Sequence, residues 1–96
     1  MKMVLVVVAK EREADLALVL QRCALAGYSL FPSVFGKGET GTHLGTRVFP
    51  GENVMFMALV NRLEFEGVVM ALKDFGATLR PGEAFKVIGL DASVVI

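Results

Sequence analysis

The residues with the most evident chemical potential lie together between Gly36 and Gly51. Gly36-Lys37-Gly38-Glu39-Thr40-Gly41 reads as G-x-G-x-x-G, the spacing that lets a backbone approach a pyrophosphate closely. That fingerprint also requires a helix to open at the third glycine, so that its N-terminus receives the anion. Here Thr42-His43-Leu44-Gly45-Thr46 follows, with no helical period and a further glycine, so a dinucleotide-binding turn is not indicated. A Walker A loop fails as well, because Gly38 follows Lys37 and Phe31 stands where the first glycine would be needed. What remains is the capacity of closely spaced glycines to turn backbone N–H groups toward one anion, with Lys37 or Arg47 supplying charge. The same glycines would serve a flexible connection that binds nothing, and composition alone does not separate the two.

His43 is the only histidine, and Glu39 or Glu52 could join it in binding a metal or exchanging a proton. One chain offers it no second histidine and no nearby cysteine, so a metal site would need copies from several subunits. Arg80, in the turn Arg80-Pro81-Gly82, and Lys86, in a strand-like run, are further candidates to meet a ligand at a cleft between subunits. Both types also occur in edge strands as protection against mispairing. Cys23 falls on an apolar stripe and reads as a small core residue. No Ser-His-Asp or Cys-His arrangement is visible, and the carboxylates are scattered over helix faces, so no enzyme activity is expected.

The elements that must position these groups follow from periodicity. Met3–Val8 is apolar and largely β-branched at every position, as in a strand buried on both faces. Glu11–Ala26 switches to helical period, with Leu16, Val19, Leu20, Cys23 and Gly27 on one side and Gly27 ending the helix. Leu18 and Leu25 sit on roughly the opposite side, as exposed leucines or part of a subunit contact. Tyr28–Phe35 is a second strand, placed at a sheet edge because Pro32 removes a ladder donor. The Gly36–Gly51 loop follows, longer than a hairpin needs.

Val54–Val60 is a third strand, again apolar on both faces. Asn61 and Glu64 have capping-box spacing, and the helix they open should bury Phe65, Val68, Val69, Leu72 and Phe75 before Gly76 and Pro81 stop it. Glu83–Leu90 makes a fourth strand, and the apolar tail Ala92–Ile96 reads as a short fifth strand docked on a neighbour. The order βαββαβ is the ferredoxin-like α+β arrangement, an antiparallel four-stranded sheet with two helices on one face. Strands one and three are central in that topology. Their side chains on the other face have nothing in the chain to cover them, which points to self-association.

Whole-chain composition agrees. At 96 residues the chain is a single domain, 1–96, with 54% apolar residues, more than so small a domain buries alone. Formal net charge is zero, which excludes a nucleic-acid-binding field or a polybasic membrane surface. No apolar run approaches the roughly 20 residues of a membrane span. A single cysteine excludes an internal disulfide framework and fits a cytoplasmic setting.

With strand order, loop and self-association in place, the chain resembles a divergent member of the PII signalling superfamily. Val34-Phe35-Gly36-Lys37-Gly38 is similar to the glycine pair at the base of that family's long loop, and Gly41-Thr42-His43-Leu44 faintly echoes a Gly-His-Thr segment within it. The resemblance implies a homotrimer packed through its sheets. It implies a small anionic effector such as ATP, ADP or AMP in the subunit clefts, without a further cofactor, and a regulated partner protein in nitrogen signalling. It places Gly36, Lys37, Gly38, Glu39, Thr40, Gly41, Arg47, Arg80 and Lys86 as candidate ligand contacts. The departures are a shorter loop, a sole tyrosine (Tyr28) outside it, and a phosphate-binding turn reduced to Arg80-Pro81-Gly82-Glu83. CutA-type metal-binding trimers share the architecture; there His43 would be the ligand.

Overall fold

The β-branched run after Met1 forms the first strand, β1 (Lys2–Ala9), in a computed structural model that describes residues 1–34 and 52–96. A short 3₁₀ turn (Lys10–Arg12) leads into α1 (Glu13–Arg22). Then come β2 (Ser29–Val34), β3 (Asn53–Val60), α2 (Arg62–Gly76) and β4 (Phe85–Asp91). The strands form one antiparallel sheet in the order β2-β3-β1-β4, with the two apolar strands central as expected.

Period-two alternation divides the central strands between two environments. Val4, Val6 and Val8 of β1 and Val54, Phe56 and Val60 of β3 are buried against Leu16 and Leu20 of α1 and Val68, Leu72 and Phe75 of α2. Both helices therefore cover the same face. Among the described residues nothing covers the opposite face. Register places Met3, Leu5 and Val7 beside Leu59, Met57 and Met55 on one flank and beside Leu90, Ile88 and Lys86 on the other. Phe31 of β2 continues the row through Met55. Of these, Phe31, Leu59, Ile88 and Leu90 are exposed and the central Leu5, Val7, Met55 and Met57 only half-buried.

Local chemistry explains the boundaries. Asn61 accepts the Glu64 backbone N–H at 2.8 Å while the Asn61 N–H donates to the Glu64 carboxylate at 3.1 Å, so α2 opens on a complete capping box. Gly76 ends α2 without a left-handed cap. Its function is steric: an added Cβ would lie 2.7 Å from the Phe85 ring, which packs at 5.7 Å against Phe75. Pro32 cannot donate, and the β2–β3 register shifts between Phe31 and Val34.

Two expectations need correction, and among the described residues the tail takes no strand partner within one chain. Helix α1 stops at Arg22, short of Gly27, because the chain turns through Ala24 at φ 58°. Leu25, expected on the outer side with Leu18, is half-buried and packs on the core, whereas Leu18 is exposed. The tail Ala92–Ile96 forms no strand in the single chain; Ala92 donates to the Met1 carbonyl at 3.0 Å, and Val94, Val95 and Ile96 stand exposed.

A left-handed alanine is strained by roughly 1–2 kcal/mol relative to its ordinary conformations, and glycine is not. Ala24→Gly at this exposed site is therefore expected to raise stability by about 0.5–1 kcal/mol, the strain relief exceeding the extra chain entropy. Urea denaturation checks it; a loss of stability would show that Ala24 is unstrained.

Candidate functional site

The register gives the sheet two distinct ends. Lys2 pairs with Val60 and Asp91 at one, and Ala9 pairs with Asn53 and Val8 with Phe85 at the other. Seven strand steps separate them, about 23 Å. The second end gathers the groups of interest, because β1 finishes there, β2 and β3 enter and leave the Gly36–Gly51 segment there, and the turn before β4 arrives there.

The candidate residues Gly36, Lys37, Gly38, Glu39, Thr40, Gly41 and Arg47, and the alternative metal ligand His43, lie outside the described residues. The segment's flanks are fixed: Val34 pairs with Asn53, and the Lys10 N–H donates to the Glu52 carbonyl at 3.1 Å. Arg80 stands at the same end in the turn before β4, with its side chain exposed. Lys86 is elsewhere. It lies opposite Val7 on the open sheet face, so the fold does not bring it into one cluster with Arg80.

Two residues that the sequence reading did not single out dominate this end. Arg12, at the close of the 3₁₀ turn, donates from Nε to Glu83 Oε1 and from a terminal nitrogen to Glu83 Oε2, both at 2.9 Å. The Arg80 backbone N–H donates to the same Oε2 at 2.8 Å, and the Glu83 N–H returns to the Arg80 carbonyl at 3.1 Å. Gly82 makes that closed turn possible at φ 89°, a conformation glycine adopts without penalty. Asp15 stands 3.6 Å from Arg12 on its other side. The carboxylate of Glu83 is thus gripped by a planar guanidinium fork and a main-chain N–H, the donor set proteins use for phosphate.

One signal was available for the pair. In this topology the end of β1 lies beside the start of β4, which brings the basic residues of Lys10-Glu11-Arg12-Glu13 near the acidic residue after Pro81-Gly82.

Hydrogen bonding from Arg12, then from the Arg80 N–H, holds the Glu83 carboxyl down to about 2 against an ordinary 4.5. A depressed carboxyl adds stability above the unfolded value, and that stability is lost as pH falls through the window from about 4.5 to about 2. Glu83→Gln is therefore expected to be less stable than the parent at pH 6, with the difference closing toward pH 2. Thermal melts across that range read it; a pH-independent difference would mean that the contact is not ionic. Asp91, depressed by Lys2 at 2.8 Å, belongs to the far end and cancels in this comparison.

Two concavities lie away from the Arg12 cluster. One, about 430 Å³, is a mainly apolar groove between α2 and β4 lined by Phe65, Val69, Leu72 and Val87 among others. The other, about 350 Å³, lies at the far end around Lys2, Arg62 and Asp91. Among the described residues no side-chain polar atom is buried without a partner, and no group of three or more His, Cys, Asp and Glu is placed to hold a metal. No helix among them is long and apolar enough to cross a membrane.

Against this geometry the comparisons are specific. The family model for nitrogen regulatory protein P-II matches residues 1–96. Solved structures share the fold. CPII, a nitrogen regulatory PII-like protein from Thiomonas intermedia K12 bound to ADP, AMP and bicarbonate, superposes with a TM-score of 0.67 at 17% identity, over 93% of this chain and 84% of that one. Its apo form gives 0.66 at 13% identity, over 93% and 87%. A PII-like signalling protein from Thermus thermophilus gives 0.61 at 21% identity, over 93% and 82%. No curated protein matches in sequence.

Proposed function

Because the chain belongs to the nitrogen regulatory protein P-II family, we propose that it is a cytoplasmic, non-catalytic sensor. It acts as a homotrimer, takes an adenine nucleotide in the clefts between copies, and changes the surface it presents to a regulated partner protein. The observation that carries this reading is the open sheet face. Among the described residues nothing covers its apolar side chains from four strands, and a contiguous patch of that kind marks an interface. Copies packed through that face would bring the Arg12–Arg80 end of one beside the sheet edge of another, so Arg80 and Lys86 would approach a shared ligand from different chains. The Gly36–Gly41 glycines, Lys37, Glu39, Thr40 and Arg47 supply the remaining proposed contacts.

An adenine nucleotide is favoured because the PII-like protein of the same fold was solved with ADP and AMP, and bicarbonate is a second small anion to test with it. Ligand at a hundred times its Kd stabilises a native protein by about 2.7 kcal/mol. For a chain of this size that corresponds to a rise in Tm of roughly 10–20 °C. A thermal-shift series with ATP, ADP and AMP, each with and without bicarbonate, is expected to show such a rise for at least one nucleotide. No shift across the series would overturn the nucleotide reading.

A further inference from the structure

We propose that residues 93–96 of one copy add as a short strand to the outer edge of β4 in a second copy, filling the groove between β4 and α2. That groove, about 430 Å³, is walled by Phe65, Val69 and Leu72 of α2 and by Phe85, Val87 and Gly89 of β4. It is mainly apolar, and it runs along a strand that has no neighbour on its outer side among the described residues. Of the sheet's two edges, β4 is the one fit for a continuous ladder. The other, β2, carries Pro32 without an N–H, and its register is already broken between Phe31 and Val34. The chain also holds a segment suited to such an edge. Val94, Val95 and Ile96 are β-branched and stand exposed. A strand added to β4 gains main-chain hydrogen bonds, and its alternate side chains fall beside Val87 and against α2.

The occupant is a second copy because the same chain's residues 93–96 fall short. Ala92 is tied inward by its N–H on the Met1 carbonyl at 3.0 Å, toward β1 and away from the free edge. A return along that edge spends about two residues on its turn, which leaves about two of residues 93–96, roughly 7 Å of strand. Gly89 to Phe85 spans four strand steps, about 13 Å. A neighbour's tail has no such limit. Ile88 and Leu90 of the same strand lie exposed on the face through which copies are proposed to pack, so the groove borders that contact. The inference rests on the self-association read above and not on the nucleotide.

Photo-crosslinking of the full chain tests this. Benzoylphenylalanine replaces Val94 in one sample and Val95 in another, each refolded as an equal mixture of light- and heavy-isotope chains, and light scattering gives the mass before irradiation. In at least one sample, hybrid adducts joining a light chain to a heavy one are expected, mapped to Phe65–Leu72 or Phe85–Gly89. Val69→Glu puts a charge into the half-buried wall of the groove and is expected to lower the hybrid yield at least about tenfold, with the assembly mass unchanged. Melting curves verify that this variant is folded, and the adduct map itself is read without it. In a parent of several copies, adducts confined to single chains, adducts mapped elsewhere, or a hybrid yield untouched by Val69→Glu overturn the docking and leave the assembly standing. A parent that scatters as single chains overturns both.

Discussion

Met57→Glu is expected to turn an assembly of several copies into folded single chains. Met57 lies near the middle of the open face, with Leu5 opposite it on β1 and Ser29 on β2. In a lone chain the new carboxylate reaches water across that face, so the core on the other side is untouched. In an assembly each copy would carry it into a desolvated apolar contact. An unpaired buried charge costs several kcal/mol, and the cost recurs in every copy. Light scattering coupled to size exclusion is expected to give the 10.3 kDa chain mass for the variant and a multiple of it for the parent, with matching circular dichroism. A variant that kept the parent's mass would show that another surface holds the copies together.

The adjacent residue gives the opposite result. Phe56→Ala is expected to cost stability in the fold itself, by about 3–5 kcal/mol. Phe56 is 1% exposed, shares the helix-covered face with Val4 and Val60, and contacts Tyr28 with ring centroids 5.2 Å apart. A domain of this length is stable by only about 5–15 kcal/mol, so the loss removes a large share of the total. Thermal melts should show a fall of roughly 15–30 °C. Since positions 56 and 57 are neighbours on opposite faces of β3, the pair separates folding from assembly; similar effects from both would contradict the two-faced sheet.

The strands that carry these residues were legible in the sequence, but which face meets the helices was not, because both faces are apolar. Continuous apolar runs at Met3–Val8 and Val54–Val60 marked the central strands, Pro32 marked an edge, and Asn61 with Glu64 marked the start of α2, all at or within a residue or two of the observed bounds. These are local signals, carried by residue type and spacing. The errors came where local signals compete. Gly27 is a better helix stop than Ala24 by propensity, yet the chain turns at Ala24, and that turn brings Leu25 onto the core. The tail Ala92–Ile96 was read as a strand docked on a neighbour; among the described residues of one chain its backbone makes the Ala92–Met1 hydrogen bond, and the edge it would pair with belongs to another copy.

The candidate site was less legible than the fold. Arg80 was named for its side chain, whereas its main-chain N–H makes the contact that orders the turn. Arg12 and Glu83 are 71 residues apart, and only the three-dimensional order of β1 and β4 joins them. Lys86 was named with Arg80 for a cleft between subunits; within one chain it lies on the open face opposite Val7. The glycines, Lys37, Arg47 and His43 lie outside the described residues, so their roles rest on composition and family.

Native mass spectrometry of the full chain with ADP tests assembly and ligand together. Three copies of the 10.3 kDa chain, with up to three ADP molecules retained by the assembly and none by dissociated chains, is the expected result. A single chain without ADP, or ADP retained equally by single chains, would contradict a shared site between copies.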